Sequence, residues 1–88
     1  MVVMCLYVAR DAPNSVRAVA NLAEICKQYL HGRFKLEIVD VLKSPLRALK
    51  DGILVTPSLL RISPSPGAKI VGDLSDRANV LQALGIKE

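Results

Sequence analysis

A proline inside an apolar segment is the feature that most constrains what this chain can fold into. Pro57 follows Thr56 and lies between Val55 and Leu59, in a stretch that is otherwise typical of a buried strand. Proline has no backbone N–H to donate to a sheet ladder, so Pro57 belongs at the start of a strand or at a sheet edge. The Thr56-Pro57 bond is also a candidate for a cis peptide, because cis bonds are almost confined to X-Pro pairs.

The N-terminal half of the chain predicts a strand followed by a long helix. Val2 to Val8 is continuously apolar, which is typical of a strand that is covered on both faces. Asp11 is a candidate cap for the following helix, and Pro13 suits its first turn. Helical spacing then continues to Leu30. The predicted apolar positions of this helix are Val16, Val19, Leu22, Ala23, Cys26, Tyr29 and Leu30.

A second strand follows the helix. Gly32 is placed to end the helix, and the residues from Phe34 to Leu42 alternate and then become apolar. A strand–helix–strand unit of this length forms a right-handed parallel crossover in nearly all proteins. Ser44-Pro45 then predicts the start of a short helix that Gly52 ends.

The C-terminal half predicts two antiparallel strands and a last helix. Ser58 to Ile62 is the third strand, and Lys69 to Val71 is the fourth. The connection between them is short and includes the turn from Pro64 to Gly67, so the two strands are antiparallel. Asp73 or Ser75 is expected to cap the last helix. The predicted apolar positions of that helix are Ala78, Val80, Leu81 and Leu84.

The order βαβαββα predicts an α/β fold with a four-stranded mixed sheet, the topology of thioredoxin-like proteins. The chain has 88 residues, of which 51% are hydrophobic, and this suits a single domain over residues 1–88 with an aliphatic core. The N-terminal apolar segment lacks the marks of a signal peptide and is too short to cross a bilayer. We therefore expect a cytoplasmic protein that does not enter the membrane.

Net charge and aromatic content bear on the class of partner. The formal net charge is +4, and the cations are spread along the chain, which favours acidic partners. Aromatic residues are too few to form a base-stacking platform, so nucleic acid is not an expected partner.

Neither redox nor other catalytic chemistry has a convincing set of residues. A redox member of the thioredoxin-like fold would carry its cysteine pair in the turn from Ala9 to Asn14, which has none. Cys5 and Cys26 match no zinc or redox spacing, and both are on predicted core faces. His31 is the single histidine, and Asp40 has no partner acid. The sequence predicts no catalytic residue, no metal and no cofactor.

Several segments together resemble the KaiB family of circadian-clock and clock-related proteins. The first is Leu6 to Ala9 with Pro13 to Ala18, and the second is Ile38 to Pro45. Thr56-Pro57, the proline-rich turn and the segment Gly72 to Arg77 complete the set. The resemblance runs from about Met4 to Ile86, which is nearly the whole chain.

This resemblance implies a protein that docks on a KaiC-type RecA-like ATPase and modulates its phosphorylation and ATPase cycle, without catalysing a reaction itself. In the family, the start of the first helix and the second helix belong to the docking surface. Carried over by position, the implied partner-binding residues are Pro13, Asn14, Arg17, Lys43, Arg61 and Lys69. Residues with an expected structural role are Pro57, Gly72, Asp73, Ala83 and Gly85.

The family also has a second fold, in which the C-terminal half rearranges and the protein self-associates as dimers or tetramers. Members commonly carry a glycine and then an aspartate in the last helix, where this chain has Ala83 and Gly85. Alanine is favoured over glycine in a helix interior by roughly 1 kcal/mol. We therefore expect the thioredoxin-like form to dominate over the alternative fold.

Two further functions remain alternatives at this point. The first is a thioredoxin-like redox protein that uses Cys5 or Cys26, which would need an exposed thiol with a lowered pKa. The second is the KaiB-like sensor domain of a KaiC-interacting histidine kinase, because such domains share the fold.

Overall fold

Within residues 1–87, which the computed structural model describes, the elements follow the predicted order βαβαββα. Glu88, the last residue of the predicted domain, lies outside the described residues. A π-helical turn, Cys26–Leu30, continues the first helix to its predicted end. The elements are β1 (Val2–Val8), α1 (Pro13–Ile25), β2 (Phe34–Asp40), α2 (Pro45–Lys50), β3 (Ser58–Ser63), β4 (Ala68–Val71) and α3 (Arg77–Ala83).

The strands form one mixed sheet with the order β2-β1-β3-β4. β1 and β2 are parallel and in register from Val2 opposite Phe34 to Val8 opposite Asp40. β3 is antiparallel to β1, and β4 is antiparallel to β3. The predicted fold class, a thioredoxin-like α/β fold with a four-stranded mixed sheet, is confirmed.

The two faces of the sheet are covered unequally. Alternate residues of β1 point to opposite faces. Met4 and Leu6 lie in a large core with side chains of α1 and α3. Cys5 and Tyr7 lie in a smaller core, which α2 covers through Ala48. Burial on both faces explains why β1 is continuously apolar, and it leaves the α2 side with the thinner layer.

Pro57 has the position that the sequence predicts, directly before a strand. It is buried, the Thr56-Pro57 peptide is cis, and β3 begins at the next residue, Ser58. The Pro57 carbonyl accepts a hydrogen bond from the Gly72 amide at 3.0 Å. Pro57 therefore joins the start of β3 to the residue that follows β4.

The helix caps differ from the prediction. Ala12, and not Asp11, is the N-cap of α1, and its side chain cannot accept a hydrogen bond. The N-cap of α3 is Asp76, whose carboxylate accepts from the Asn79 amide at 3.2 Å. The predicted caps Asp73 and Ser75 precede this position, because the loop that contains them extends further before the helix begins.

The apolar positions predicted for the helices are partly wrong. Val16 and Ala23 of α1 are exposed, and so is Ala78 of α3. The buried stripe of α1 is narrower than predicted and consists of Ser15, Ala18, Leu22 and Ile25. Val16, Ala23 and Ala78 therefore face solvent and contribute little to the core.

The end of α3 corrects the expectation for Ala83 and Gly85. Ala83 is the last helical residue and not an interior one, and Gly85 lies beyond the helix with φ +73°. The Ile86 amide donates to the Leu81 carbonyl at 2.9 Å, and the Gly85 amide donates to the Gln82 carbonyl at 3.1 Å. This pair of bonds is the Schellman motif, in which a left-handed residue closes the helix. The preference for alanine over glycine in a helix interior therefore gives no reason, at Ala83, for the thioredoxin-like form to dominate.

Candidate partner-docking surface

The predicted partner-binding residues occupy three separate places in the fold. One group lies at the start of α1, a second flanks α2, and the third is a single residue of β3. In that order, they are Pro13, Asn14 and Arg17; Lys43 and Lys69; and Arg61.

The group at the start of α1 is exposed and linked to the loop before α3. Pro13 is the first helical residue, and the side-chain oxygen Oδ1 of Asn14 accepts a hydrogen bond from Arg17 Nη2. Arg17 Nε lies 3.4 Å from Asp73 Oδ2, and Asn21 Nδ2 donates to the Asp73 carbonyl at 2.9 Å. The structure therefore brings Asn14, Arg17 and Asp73 together, although they are far apart in sequence.

Asp73 is held in its charged form. Hydrogen bonds from Ser75 lower the pKa of the Asp73 carboxyl, and the Arg17 guanidinium lowers it further. The Ser75 amide donates to Asp73 Oδ1 at 3.0 Å. The neighbouring Gly72 has φ +122°, a conformation that side chains rarely adopt. Gly72 and Asp73 thus lie in the loop that leads to α3, and their structural role stays a prediction.

Arg61 makes hydrogen bonds within the protein itself. It lies on β3, and its guanidinium donates to the Ala83 carbonyl at 2.9 Å and to the Pro66 carbonyl at 2.7 Å. Its Nε is buried without a hydrogen-bond partner among the described residues. A cation suits this position because the C-terminus of a helix is partially negative. The predicted contact of Arg61 with a partner stays a prediction, while its visible role is to join the β3–β4 turn to the end of α3.

The most exposed apolar side chains near the predicted surface belong to α2 and its flanks, and the sequence interpretation missed them. Leu46 of α2 is 82% exposed, and Leu54, which follows the helix, is 93% exposed. We call this set the leucine patch. It consists of Leu42, Leu46, Leu49, Leu54 and Val55, all of which are exposed.

Cations accompany the leucine patch along the same segment. Lys43 precedes α2, and Arg47 and Lys50 lie within the helix. Arg47 Nη1 and Nη2 donate to the two carboxylate oxygens of Glu37 on β2, each at 2.5 Å. This hydrogen bonding lowers the pKa of the Glu37 carboxyl. Lys43 and Lys50 have no acidic partner among the described residues, so the segment presents apolar side chains beside free positive charge.

The starts of α1 and α2 lie at one edge of the sheet. Each helix follows the carboxyl end of a strand, and the two strands, β1 and β2, are parallel neighbours. Arg10, in the turn after β1, lies with its Nε 3.7 Å from Asp40 Oδ2 at the end of β2. The ion pair connects the two turns, so the α1 start and the leucine patch border the same side of the molecule.

The thiols do not suit redox chemistry. Cys5 and Cys26 are both buried, and they lie on opposite faces of the sheet. Burial raises the pKa of the Cys5 thiol and raises that of Cys26 to about 11, so neither is poised as a thiolate. Within residues 1–87, no group of three or more histidine, cysteine or acidic side chains could hold a metal ion.

Solved structures confirm the fold, and at their low sequence identity to this chain they bear on the fold alone. The N-terminal domain of Synechococcus elongatus SasA superposes with a TM-score of 0.77 and 24% identity, over 99% of this chain and 86% of that one. A chloroplastic thioredoxin z gives a TM-score of 0.80 and 18% identity, over 97% of this chain and 76% of that one. None of the helices described here is long and apolar enough to cross a membrane.

Sequence comparison identifies the family. A family model described as the KaiB domain matches residues 5–86. The circadian clock oscillator protein KaiB of Trichodesmium erythraeum is 51% identical over 84 residues, which are 96% of this chain and 81% of that protein. The protein of the same name from Nostoc punctiforme has the same identity and coverage. The chain therefore belongs to the KaiB family of circadian clock proteins.

Proposed function

We propose that this protein is a cytoplasmic, non-catalytic binding protein that docks on a KaiC-type RecA-like ATPase and modulates its phosphorylation and ATPase cycle. Membership of the KaiB family supports the partner class. The observation that carries the proposal is the leucine patch on α2. Its setting agrees with the resemblance, which places the second helix in the docking surface.

The leucine patch is unusual for a chain that works alone. Soluble monomers expose large apolar side chains mostly one at a time, and a larger exposed group marks an interaction site. Leu46 and Leu49 are three residues apart on α2, so they lie on the same face of the helix. An amphipathic helix that presents such a face suits a hydrophobic groove on a partner. Burial of each leucine on docking would contribute about 1.5–3 kcal/mol before the costs of association.

The polar residues predicted from the family would form the rim of this surface. Asn14 and Arg17 lie at the start of α1, on the same sheet edge as the start of α2. Lys43 and Lys69 flank α2. Exposed cations at an interface rim attract an acidic partner and act more on the association rate than on the affinity.

The proposal is tested with the ATPase of the KaiC type from the same host, mixed with this protein and ATP. Size-exclusion chromatography with light scattering should show a complex. The double substitution Leu46→Ser and Leu49→Ser should weaken the complex by at least a hundredfold, because it removes two apolar anchors. Ile38→Thr is a matched control, since Ile38 is a half-exposed apolar residue outside the leucine patch.

Two outcomes would contradict the proposal. The first is the absence of a complex with the wild-type protein. The second is a complex that survives the double leucine substitution unchanged. If the protein alone ran as a dimer or tetramer that the double substitution dissociates, the leucine patch would instead join copies of this chain.

A further inference from the structure

The apolar anchorage of α2 to the sheet is small. Ala48 is the one buried residue of the helix, and Ile53, just beyond it, is the next side chain that packs in the smaller core. Leu46 and Leu49 point away from the sheet into solvent. Hydrophobic contact alone therefore leaves little to fix the orientation of the helix that carries the leucine patch.

Polar side chains on three different strands hold the α2 segment. Arg47 of the helix pairs with Glu37 of β2. Lys69 of β4 donates from Nζ to the Gly52 carbonyl at 3.0 Å, just after the helix. The Tyr7 hydroxyl of β1 donates to Asp51 Oδ2, at the C-cap of α2.

The three contacts differ in burial. The Arg47–Glu37 and Lys69–Gly52 contacts are exposed, and exposed pairs of this kind contribute little because water and salt screen them. Tyr7, in contrast, is 1% exposed and lies beneath the α2 segment. Burial raises the pKa of Tyr7, and the hydrogen bond to Asp51 raises it further, so the hydroxyl stays a donor. A hydrogen bond from a buried donor to a carboxylate is among the stronger ones.

We propose that Tyr7 is a positioning residue, whose hydroxyl fixes the end of α2 through Asp51 and thereby orients the leucine patch for docking. The docking part of this inference rests on the proposed function. Tyr7 itself lies beneath α2 and is inaccessible to a partner. The residue therefore acts through the helix and not by direct contact.

The test uses Tyr7→Phe, which keeps the ring in the core and removes the hydroxyl. Amide hydrogen exchange in the free protein should become about tenfold faster in the segment 45–53 and stay unchanged in β1 and β2. Affinity for the KaiC-type ATPase should fall by about tenfold. A purely structural role would instead accelerate exchange throughout the sheet.

Three further variants separate positioning from contact. Asp51→Asn keeps an oxygen that accepts from the Tyr7 hydroxyl but removes its charge, so its exchange across 45–53 should lie between those of wild type and Tyr7→Phe. Asp51→Ala should reproduce Tyr7→Phe, and combining the two should add little, because both remove the same bond. Leu46→Ser should weaken docking without changing exchange, since Leu46 is exposed.

Unchanged exchange across 45–53 in Tyr7→Phe would overturn the inference, and so would faster exchange with unchanged affinity. Failure of the wild-type protein to bind the ATPase would overturn the proposed function and the docking part of the inference with it. The exchange experiment needs no partner, so the two failures are distinguishable.

Discussion

At the scale of the residue, Gly85 combines a left-handed backbone with a close side-chain neighbour. Its φ is +73°, and an added Cβ would lie 3.2 Å from Arg61 Nη1, which is anchored on the Ala83 carbonyl. Gly32 has a similar φ of +81°, with nothing within 4 Å of an added Cβ. Gly32→Ala should cost about 1–2 kcal/mol for the left-handed backbone alone. Gly85→Ala should cost about 1 kcal/mol more, the size of a disturbed hydrogen bond.

Urea denaturation of the two glycine variants measures this difference directly. Equal losses in the free energy of unfolding would mean that Arg61 moves aside freely and does not join the β3–β4 turn to α3. The role of Arg61 in the fold could not be predicted from the sequence. Its acceptors on Pro66 and Ala83 are backbone carbonyls, which leave no mark in the pattern of residue types.

Asp73 should make stability depend on acidity. Because its pKa in the folded protein lies below the ordinary value of 3.8, its carboxylate stabilises the fold at higher pH. That contribution is lost as the pH falls below 3.8 and through the folded pKa. Asp73→Asn should therefore be less stable than wild type at neutral pH, and the difference should shrink below pH 3.8. Denaturation series at several pH values test this expectation.

Arg17→Met separates the causes of that pH dependence. Ser75 lowers the pKa of Asp73 more than Arg17 does, so most of the pH dependence should remain in this variant. If Arg17→Met abolished the dependence, the ion pair and not the Ser75 hydrogen bonds would hold the carboxylate.

At the scale of the element, the caps of α1 and α3 offer a matched comparison. Asp76→Ala should destabilise the protein by about 1 kcal/mol, because it removes the acceptor for the Asn79 amide. Asp11→Ala should change stability by less than about 0.5 kcal/mol, because Asp11 is exposed and caps nothing. Thermal or urea denaturation measures both, and an equal loss would mean that Asp11 supports α1.

The elements themselves could be predicted from periodicity and breakers, whereas their ends and outer faces could not. β1 shows the expected apolar pattern, and Pro57 fixes the start of β3. β2 keeps the expected alternation only to Leu36, since Ile38 is half-exposed and the strand ends at Asp40, two residues before the predicted Leu42. Asp73, Ser75 and Asp76 are all competent caps within four positions, and only the path of the loop selects among them. The leucines of α2 were missed because an apolar residue in a helix predicts burial, while this helix is too short and thinly packed to bury them.

At the scale of the whole molecule, the unequal layers of the sheet explain why the candidate surface is where it is. α1 and α3 provide a thick layer on one face, and the closure of α3 by Gly85 completes that layer. The other face has α2 alone, so its few side chains must both cover the core and present the leucine patch. The prediction that this thioredoxin-like form dominates in solution now depends on the packing of α3 and not on Ala83 within the helix.

The unequal layers also predict how the two thiols react in the native protein. Cys5 lies in the smaller core beneath Ala48 of α2, whereas Cys26 lies in the larger core. Detachment of the small α2 layer would open Cys5 without unfolding the rest, so a thiol reagent should label Cys5 before Cys26. Both should react at least a hundredfold more slowly than in the unfolded chain, because burial raises their pKa values and blocks access. Rapid labelling of either cysteine would restore the thioredoxin-like redox function, and faster labelling of Cys26 would show that α1, not α2, is the weaker layer.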